Sequence, residues 1–488
     1  MADFKPPTAK LYANAAADKN HVISMRTDWS GLDRRAVIDT GVMTDMRNVS
    51  MSALPYLITA PKPVTVYSGY DNPISVQAFA DFILIIYRDG TDLKIDYIRG
   101  GEKYTGVIKT DATPDDDNIQ RNIVQFQVFT DIQDPLFGDY TSKLLLFPDK
   151  KSFDFDITGN FTLAGLDHPD YPIPNIIYPV IHQSRLFGVD TVRIFASGFN
   201  DYTFWDLDTA ASISEAGNAW VSTSQSNYKA RGNFTGITTY GGHVVCFKKD
   251  FIQQVYNNKN PFRVVDIDAA GAIDNRGIAE LQGALYYVSA DNVKYYTGGM
   301  PHNIADQLGI GNYEKGILGA YKDTLYMYES GSEIFTYNVT YRQWSIIYTD
   351  SPVINFAANS EGIYALHKDG TVKQYNTEIF SHDWYFMSDL IINNSFETQS
   401  IEKMDMYAEL YNLDSKVDVY LLKANEEFTV GRSLHVLTSD GMSRGRGVLR
   451  TLVANGAYYG QRLYVRGHGL VRIFGLETRY KMESETYA

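Results

Sequence analysis

A two-stranded unit that recurs along this chain constrains its fold more than any other feature of the sequence. Each unit consists of an apolar strand, a short polar turn and a second apolar strand, as in residues 243–256. Four later units have anchors at positions 244, 285, 325 and 363, which lie 41, 40 and 38 residues apart. Hairpins that repeat with a period of about 40 residues are typical of the blades of a β-propeller.

Three earlier hairpins extend the pattern toward the N-terminus. Their anchors at positions 82, 144 and 186 give intervals of 62, 42 and 58 residues, which fit blades that carry loop insertions. A hairpin alone cannot bury its apolar face, so neighbouring units must stack on one another. Seven hairpins predict a propeller of six or seven blades. A large β-sandwich with similar hairpins is the alternative, and the even spacing of the later units favours the propeller.

The composition agrees with an all-β fold. The chain has 488 residues, of which 36 are tyrosine, 25 phenylalanine and 38 glycine. Aromatic and β-branched residues favour pleated, half-buried strands, and glycine favours the turns between them. Apolar residues make up 44% of the chain and charged residues 21%, which is typical of a globular protein and excludes wholesale disorder.

The sequence divides into three parts. Residues 1–75 hold six prolines, which disfavour central strands and helices, so we expect an extended N-terminal arm that lies on a surface and helps to close the ring. Residues 76–382 contain the repeats and form the predicted propeller. The period stops near residue 382, and residues 383–488 contain alternating strands that predict a C-terminal β-sandwich-like domain.

Several classes of protein are excluded or disfavoured. The most apolar stretch, residues 79–87, is far shorter than the roughly 18 residues of a membrane-spanning helix, so no membrane partner is expected. The N-terminus lacks the pattern of a secretory signal. The single cysteine, Cys246, excludes a disulfide framework and a cysteine-built metal site, and its place between Val245 and Phe247 predicts a buried, inert thiol.

No catalytic motif is found, so we expect no enzyme activity, no catalytic residue, no cofactor and no metal. The chain has no nucleophile elbow, no phosphate-binding loop and no zinc-protease pair, and its nine histidines are scattered. Two aspartate pairs, Asp154 with Asp156 and Asp266 with Asp268, could bind calcium or serve a glycosidase. In so acidic a chain, such alternating pairs are more often solvent-facing strand residues.

The charge is distributed unevenly. The whole chain carries −14, which argues against a protein dedicated to gripping nucleic acid. Residues 431–481 hold nine basic and two acidic residues, a local charge of +7 that leaves −21 for the remainder. Eight of the nine are arginine, the residue best suited to bidentate recognition of carboxylate or phosphate. The candidate assembly interface consists of Arg432, Arg444, Arg446, Arg450, Arg462 and Arg466.

This arginine-rich stretch has more than one interpretation. It could be a solvated basic face, a contact for DNA phosphate, or a surface that docks onto an acidic protein neighbour. Because the rest of the chain is acidic, we favour the protein neighbour.

Several short motifs resemble those of the β-propeller tail proteins of tailed bacteriophages, a family of tail nozzle, packaged-DNA stabilisation and minor tail structural proteins. The similar segments are residues 29–33 with 46–49, 183–187 with 194–205, 271–274 with 285–293 and 298–301, and 337–344. Where this family usually continues to Arg-Pro-Gly, residues 57–63 stand instead. The likeness spans about residues 28–375, and its motifs are structural rather than catalytic.

The resemblance implies a virion component of the phage tail, made in the host cytoplasm. Proteins of this family assemble as homo-oligomeric rings, commonly hexamers, next to the portal, adaptor and other tail proteins. Such a ring surrounds the channel of DNA ejection, so double-stranded DNA passes without sequence-specific binding. An acidic channel wall would repel a passing polyanion rather than trap it.

Two alternative functions fit the same sequence. The wealth of aromatic residues suits a carbohydrate-binding or carbohydrate-degrading propeller, since sugar faces stack on tyrosine and tryptophan. A bacterial surface or scaffold propeller that binds peptides is the other alternative, and the missing signal sequence disfavours it.

Overall fold

The computed structural model describes residues 21–27, 29–35, 42–129, 140–155, 160–166, 168, 170–207, 217–222, 232–257, 259–391, 398–411, 414–423, 445–452 and 461–483. These residues form 38 β-strands and three short 3-10 turns, at Pro114–Asn118, Asn275–Gly277 and Asp306–Leu308. The expected all-β class is confirmed.

Seven four-stranded antiparallel sheets form the blades of a β-propeller. The first three blades are β6 (Pro73–Ala78), β7 (Phe82–Asp89), β8 (Asp92–Arg99) and β9 (Glu102–Lys109); β10 (Asn122–Phe129), β11 (Tyr140–Phe147), β12 (Lys151–Phe155) and β13 (Phe161–Gly165); and β14 (Ile177–His182), β15 (Arg185–Val189), β16 (Ile194–Ala196) and β17 (Trp220–Val221). Blades four and five are β18 (Phe234–Tyr240), β19 (His243–Lys248), β20 (Phe251–Tyr256) and β21 (Arg263–Ile267); and β22 (Ile278–Leu281), β23 (Ala284–Val288), β24 (Val293–Tyr296) and β25 (His302–Asn303).

The last two blades complete the ring. They are β26 (Ile317–Tyr321), β27 (Thr324–Tyr328), β28 (Glu333–Asn338) and β29 (Gln343–Tyr348); and β30 (Val353–Ala358), β31 (Ile363–His367), β32 (Val372–Gln374) and β5 (Val64–Tyr67). Strand β5 comes from the N-terminal part of the chain and pairs with β32, with Thr65 opposite Lys373. The inner strand β30 contacts β6 of the first blade, so the seventh blade lies next to the first. The ring is thus closed by hydrogen bonds between the outer strand β5 and β32, without a covalent bond.

The remaining strands form two further sheets. The first sandwich sheet has the order β3 (Val49–Ser50), β4 (Leu57–Thr59), β38 (Val471–Glu483), β34 (Thr398–Leu410) and β36 (Gly445–Leu452), with β1 (His21–Arg26) also beside β38. The second sandwich sheet has the order β2 (Met43–Arg47), β33 (Asp383–Ile391), β37 (Gln461–His468) and β35 (Lys416–Lys423). Apolar side chains from both sheets pack into one buried cluster.

The N-terminal stretch therefore differs from the expected arm in one respect. Its described parts are extended, but they are paired in sheets rather than laid on a surface. Strands β1–β4 complete the sandwich, and β5 belongs to the seventh blade. The prolines do not prevent this pairing because they lie outside these strands. Residues 1–20 lie outside the described residues.

The sandwich is fastened to the sixth blade. The backbone amides of Leu32 and Asn48 donate to carbonyls of Trp344 and Ile346 in β29, each at 2.8 Å. The Asn48 side chain accepts from the Tyr348 amide at 2.9 Å and donates to the Asp383 carbonyl at 2.8 Å. The buried cluster of the sandwich continues between blades five and six, so the two units share a core.

Two other expectations can be assessed in the described residues. Cys246 is fully buried, as predicted, and burial raises the pKa of its thiol far above the ordinary range. No helix among the described residues has the length and apolar character needed to cross a membrane.

Candidate functional site

Four of the six candidate arginines lie on described strands, and these strands belong to both sheets of the sandwich. Arg462 and Arg466 belong to β37 of the second sandwich sheet, whereas Arg446 and Arg450 belong to β36 of the first. The side chains of Arg446 and Arg450, and the whole of Arg432 and Arg444, lie outside the described residues. The structure therefore brings Arg462 and Arg466 together on one strand.

Alternation along β37 directs these arginines away from the core. Leu463 and Val465 are fully buried, so the residues between them lie on the opposite face of the sheet. That face carries Arg462, Tyr464 and Arg466, with Arg466 the most exposed of the three. Arg466 is thus accessible to a partner, whereas Arg462 is half-buried and its Nε atom is fully covered.

Tyr464 on the same strand and two tyrosines from the neighbouring strands lie around Arg466. The Tyr464 ring lies 5.8 Å from Tyr385 on β33 and 5.6 Å from Tyr420 on β35, measured between centroids. The Arg466 guanidinium lies 5.0 Å from the centre of the Tyr420 ring and 3.3 Å from the Asp418 carboxylate. We call the group Tyr385, Tyr420, Tyr464, Arg462 and Arg466 the tyrosine–arginine face.

A groove extends from this face toward the propeller. Its first part has a volume of about 400 Å³ and is lined by residues of β33, β35 and β37. Its second part, of about 240 Å³, continues between the sandwich and blades six and seven. Arg47 lines both parts, and its guanidinium lies 3.5 Å from the centre of the Tyr348 ring. Lys62, Lys373 and Lys416 also line the groove. So do Asp350, Asp383 and Asp418, of which Asp350 pairs with Lys373 and Asp418 with Arg466.

The composition of this surface resembles that of protein interfaces. Tyrosine and arginine are enriched at the centres of interfaces, because they give large contact area and directed hydrogen bonds at modest entropic cost. Arginine also recognises carboxylates bidentately. The tyrosine–arginine face is therefore chemically suited to a protein partner that offers carboxylates, whereas the groove beside it is lined by both cations and carboxylates.

The central cavity of the propeller is a second polar site. It has a volume of about 720 Å³ and is lined largely by inner strands of the blades. The Gln120 amide donates to the Asp274 carboxylate at 2.5 Å, which connects the start of blade two with the start of blade five. Arg276 pairs with Asp274 at 2.9 Å and donates to the Ile354 carbonyl of blade seven at 3.5 Å. These side chains cross the cavity.

Electrostatic interactions between Asp274 and Arg276 keep both side chains ionised. Burial opposes ionisation of Asp274, but the hydrogen bonds and charge of Arg276 outweigh it, so the pKa of Asp274 lies below its ordinary value. Burial likewise opposes the charge of Arg276, and the hydrogen bond to Asp274 raises its pKa overall. The pair is an ionised structural bridge at neutral pH.

The aspartate pairs are surface residues where they are described. Asp266 and Asp268 are both exposed, and Asp266 accepts a hydrogen bond from Gln253 at 2.9 Å. Asp154 pairs with Lys143, and Asp156 lies outside the described residues. Within the described part of the chain, no group of three or more His, Cys, Asp or Glu residues is arranged to hold a metal ion.

Several residues of the two sites were missed by sequence reasoning. The alternation in 461–468 could have placed Tyr464 beside the arginines, since it occupies the same face. Tyr385 and Tyr420 could not be placed there without the strand order of the sheet. Asp274 and Gln120 are 154 positions apart, and only closure of the ring brings them together.

Motif residues of the phage-tail resemblance hold the scaffold together. A Cβ atom on Gly31 would lie 2.5 Å from the Trp344 carbonyl oxygen, so only glycine permits this approach of the sandwich to blade six. The indole of Trp344 donates to the Ile304 carbonyl of the fifth blade at 2.7 Å. Arg185 is buried and donates to the carbonyls of Ser197 and Asn218 at 2.6 and 2.7 Å.

Comparison with known proteins leaves the function open. No protein-family model matches the chain, and no curated protein sequence is significantly similar to it. One similar solved structure is virginiamycin B lyase from Staphylococcus aureus, with 11% identity, a TM-score of 0.39, and coverage of 64% of this chain and 97% of that chain. BamB from Moraxella catarrhalis has 13% identity and a TM-score of 0.37, and the match covers 66% of this chain and 98% of that chain. The WD40 domain of coronin from Toxoplasma gondii has 12% identity and a TM-score of 0.36, and the match covers 68% of this chain and 87% of that chain. These are β-propeller proteins, and at such low similarity they carry no argument about this chain.

Proposed function

We propose that this protein is a structural component of a bacteriophage tail, in which copies assemble into a ring around the DNA-exit channel next to the portal or adaptor. The resemblance of the sequence to phage tail propellers motivates the proposal, and a hexamer is the oligomer that it implies. The structural observation that carries it is the tyrosine–arginine face, which presents arginines and aromatic rings from a rigid sheet.

The site suits assembly because its cations can meet the acidic remainder of another copy or of a neighbouring tail protein. The chain outside residues 431–481 carries −21, so acidic surface is available on every copy. Arginine paired with carboxylate at an interface gives orientation as well as attraction.

The crossed central cavity favours a DNA channel that lies outside the single propeller. Gln120, Asp274 and Arg276 join blades two, five and seven across the cavity, so these side chains obstruct a path for duplex DNA through one propeller. The lumen of the proposed ring is therefore formed between copies rather than through one propeller.

Electron microscopy of the purified protein tests the proposal. We expect ring particles with a central lumen for the wild type. The double variant Arg462→Glu/Arg466→Glu should give monomers, because charge reversal repels the acidic partner. Replacing Arg444, Arg446 and Arg450 by glutamine in one variant should weaken assembly and leave the monomer folded.

The matched control reverses two exposed arginines of the propeller, Arg99 and Arg193, whose side chains are 61% and 55% exposed. This control should still form rings. The proposal fails if the wild type gives only monomers, both alone and when released from virions. It also fails if the control and the Arg462/Arg466 variant assemble equally well.

A further inference from the structure

A cavity between blades five and six has unusual chemistry. It has a volume of about 560 Å³ and lies beside strands β23, β24, β25 and β28. Three tyrosines, Tyr286, Tyr295 and Tyr337, come from two different blades and line it. We call the cavity lined by these tyrosines and Arg342 the tyrosine pocket.

The hydroxyl groups of these three tyrosines have no hydrogen-bond partner among the described residues. Some buried tyrosines of the propeller do find one, although Tyr326 and Tyr364 have no such bond among the described residues either. Tyr287 donates to the Ala270 carbonyl at 2.8 Å, and Tyr313 donates to the Ala305 carbonyl at 3.2 Å. None of the three hydroxyl oxygens is among the fully buried polar atoms that lack a partner, so all three reach the open cavity and can hydrogen-bond to a ligand there.

The phenol rings themselves are largely covered. Tyr286 and Tyr337 are only 4% and 6% exposed, and the rings of Tyr286 and Tyr295 pack together with centroids 5.4 Å apart. The rings therefore form a rigid base, and the hydroxyls are the parts that can reach the cavity. A ligand that accepts and donates hydrogen bonds suits this base better than an apolar one.

Arg342 supplies a cation at the rim. It is exposed, ends the turn between β28 and β29 with a φ of 56°, and makes no ion pair or side-chain hydrogen bond within the described residues. Burial raises the pKa of both Tyr286 and Tyr337, and the nearby charge of Arg342 acts in the opposite direction. A free guanidinium close to two phenols favours a carboxylate.

The other walls carry both donors and acceptors. Gln282, His302 and Asn303 are exposed polar residues that line the pocket. The Asp306 carboxylate receives hydrogen bonds through Oδ1 from Asn292 at 2.7 Å and Asn303 at 3.3 Å, so its second oxygen remains an acceptor. Acceptors beside a cation suit a molecule that has hydroxyl groups as well as a negative charge. A bare inorganic anion would leave these acceptors unused.

We propose that the tyrosine pocket binds an acidic sugar, with the sugar carboxylate on Arg342 and its ring hydroxyls on the phenol groups of Tyr286, Tyr295 and Tyr337. The same chemistry is met by a free uronic acid and by a uronic acid unit of a polysaccharide. The inference does not depend on ring assembly and can succeed or fail separately from it.

Calorimetric titration of the full chain with glucuronic acid, glucose and acetate tests this inference. We expect glucuronic acid to bind, and glucose and acetate each to bind at least about tenfold more weakly, because each lacks half of the recognised groups. A short oligosaccharide of glucuronic acid units should bind more tightly than the monosaccharide if the natural ligand is a polymer. If the monosaccharide is the natural ligand, both bind equally.

Variants locate the site. Arg342→Gln should weaken glucuronic acid about 10- to 100-fold, and Tyr337→Phe or Tyr286→Phe about 2- to 10-fold, since each phenylalanine keeps the ring and removes the hydroxyl. The matched control is Tyr341→Phe, an exposed residue of the same turn that does not line the pocket. Equal binding of acetate and glucuronic acid, no binding of either, or unchanged affinity in Arg342→Gln would overturn the proposal.

Discussion

Amide side chains join the blades where backbone pairing cannot. Asn355 of the seventh blade accepts from the Val76 amide at 3.0 Å and donates to the Val76 carbonyl at 2.7 Å. Gln77 makes the equivalent pair of contacts with the Ile123 amide and the Arg121 carbonyl of the second blade. Neighbouring blades diverge outward and form no continuous ladder, so a side-chain amide provides both the donor and the acceptor. Such residues make ring closure specific.

At the same residue scale, Asp274→Asn should destabilise the propeller. The substitution removes the charge that compensates Arg276, whose side chain is only 39% exposed. We expect the free energy of unfolding to fall by about 1–3 kcal/mol. Because the folded-state pKa of Asp274 is lowered, its stabilising effect is present at neutral pH and is lost as the pH falls below about 4, through the folded-state value.

Urea unfolding at pH 7 measures this effect. Asp268→Asn is the control, since Asp268 is an exposed acid of the propeller that makes no ion pair in the described residues. Equal unfolding midpoints for the two variants would show that the Gln120–Asp274–Arg276 crossing adds no stability.

At the scale of elements, the ring depends on one short strand. Strand β5 has four residues and pairs with β32, although some 300 residues separate the two in sequence. Closing so long a loop costs entropy, which the strand must offset through its pairing and the packing of the seventh blade. The closure is therefore the natural place to reinforce the fold.

A disulfide between Thr65→Cys and Lys373→Cys should reinforce it. These residues are directly opposite in the two strands, and the buried Cys246 leaves the engineered pair without a competing thiol. We expect the oxidised protein to be more stable than its reduced form by about 2–4 kcal/mol, because the cross-link restricts the unfolded chain. Thermal unfolding with and without reductant makes each sample its own control. If the oxidised and reduced forms are equally stable, β5 remains paired with β32 while the rest of the propeller unfolds, because the cross-link then restricts the unfolded chain no further.

The elements also show how far the sequence could predict this structure. All seven predicted hairpins are the second and third strands of the blades, as in β23–β24 and β27–β28. Such middle strands are buried on both faces, so they read as continuous apolar runs; all five residues of β23 are buried. The outer strands, such as β9 with its exposed alternate residues, carry weaker patterns. Strands β1–β5 could not be predicted, because their pairing partners lie hundreds of residues away.

The candidate site was predictable to a similar extent. Charge counting identified Arg462 and Arg466, since a cluster of arginines is visible in the sequence alone. Their tyrosine neighbours depend on sheet order, and the unpaired hydroxyls of the tyrosine pocket depend on how blades five and six meet. The charge of the site can thus be predicted from the local sequence. Its shape cannot, because it depends on contacts between residues that are far apart in the chain.

At the scale of the whole molecule, the charge is divided between two regions of opposite sign. Residues 431–481 carry +7 and supply strands β36–β38 of the sandwich, while the remaining chain carries −21. A molecule with this division can attract another copy in one orientation and repel it in others. This gives a physical reason for ordered assembly rather than indefinite aggregation.

Salt should therefore control the proposed assembly. Raising sodium chloride from about 0.1 M to about 1 M shortens the screening length from about 10 Å to about 3 Å, which weakens attraction between exposed charges and leaves apolar contacts intact. We expect the mass distribution of the wild type, measured by sedimentation velocity, to shift from rings to monomers over this range. The Arg462→Glu/Arg466→Glu variant should remain monomeric throughout, and the Arg99/Arg193 control should follow the wild type. Rings that persist or grow at high salt would indicate an apolar interface and would exclude the tyrosine–arginine face as the electrostatic contact.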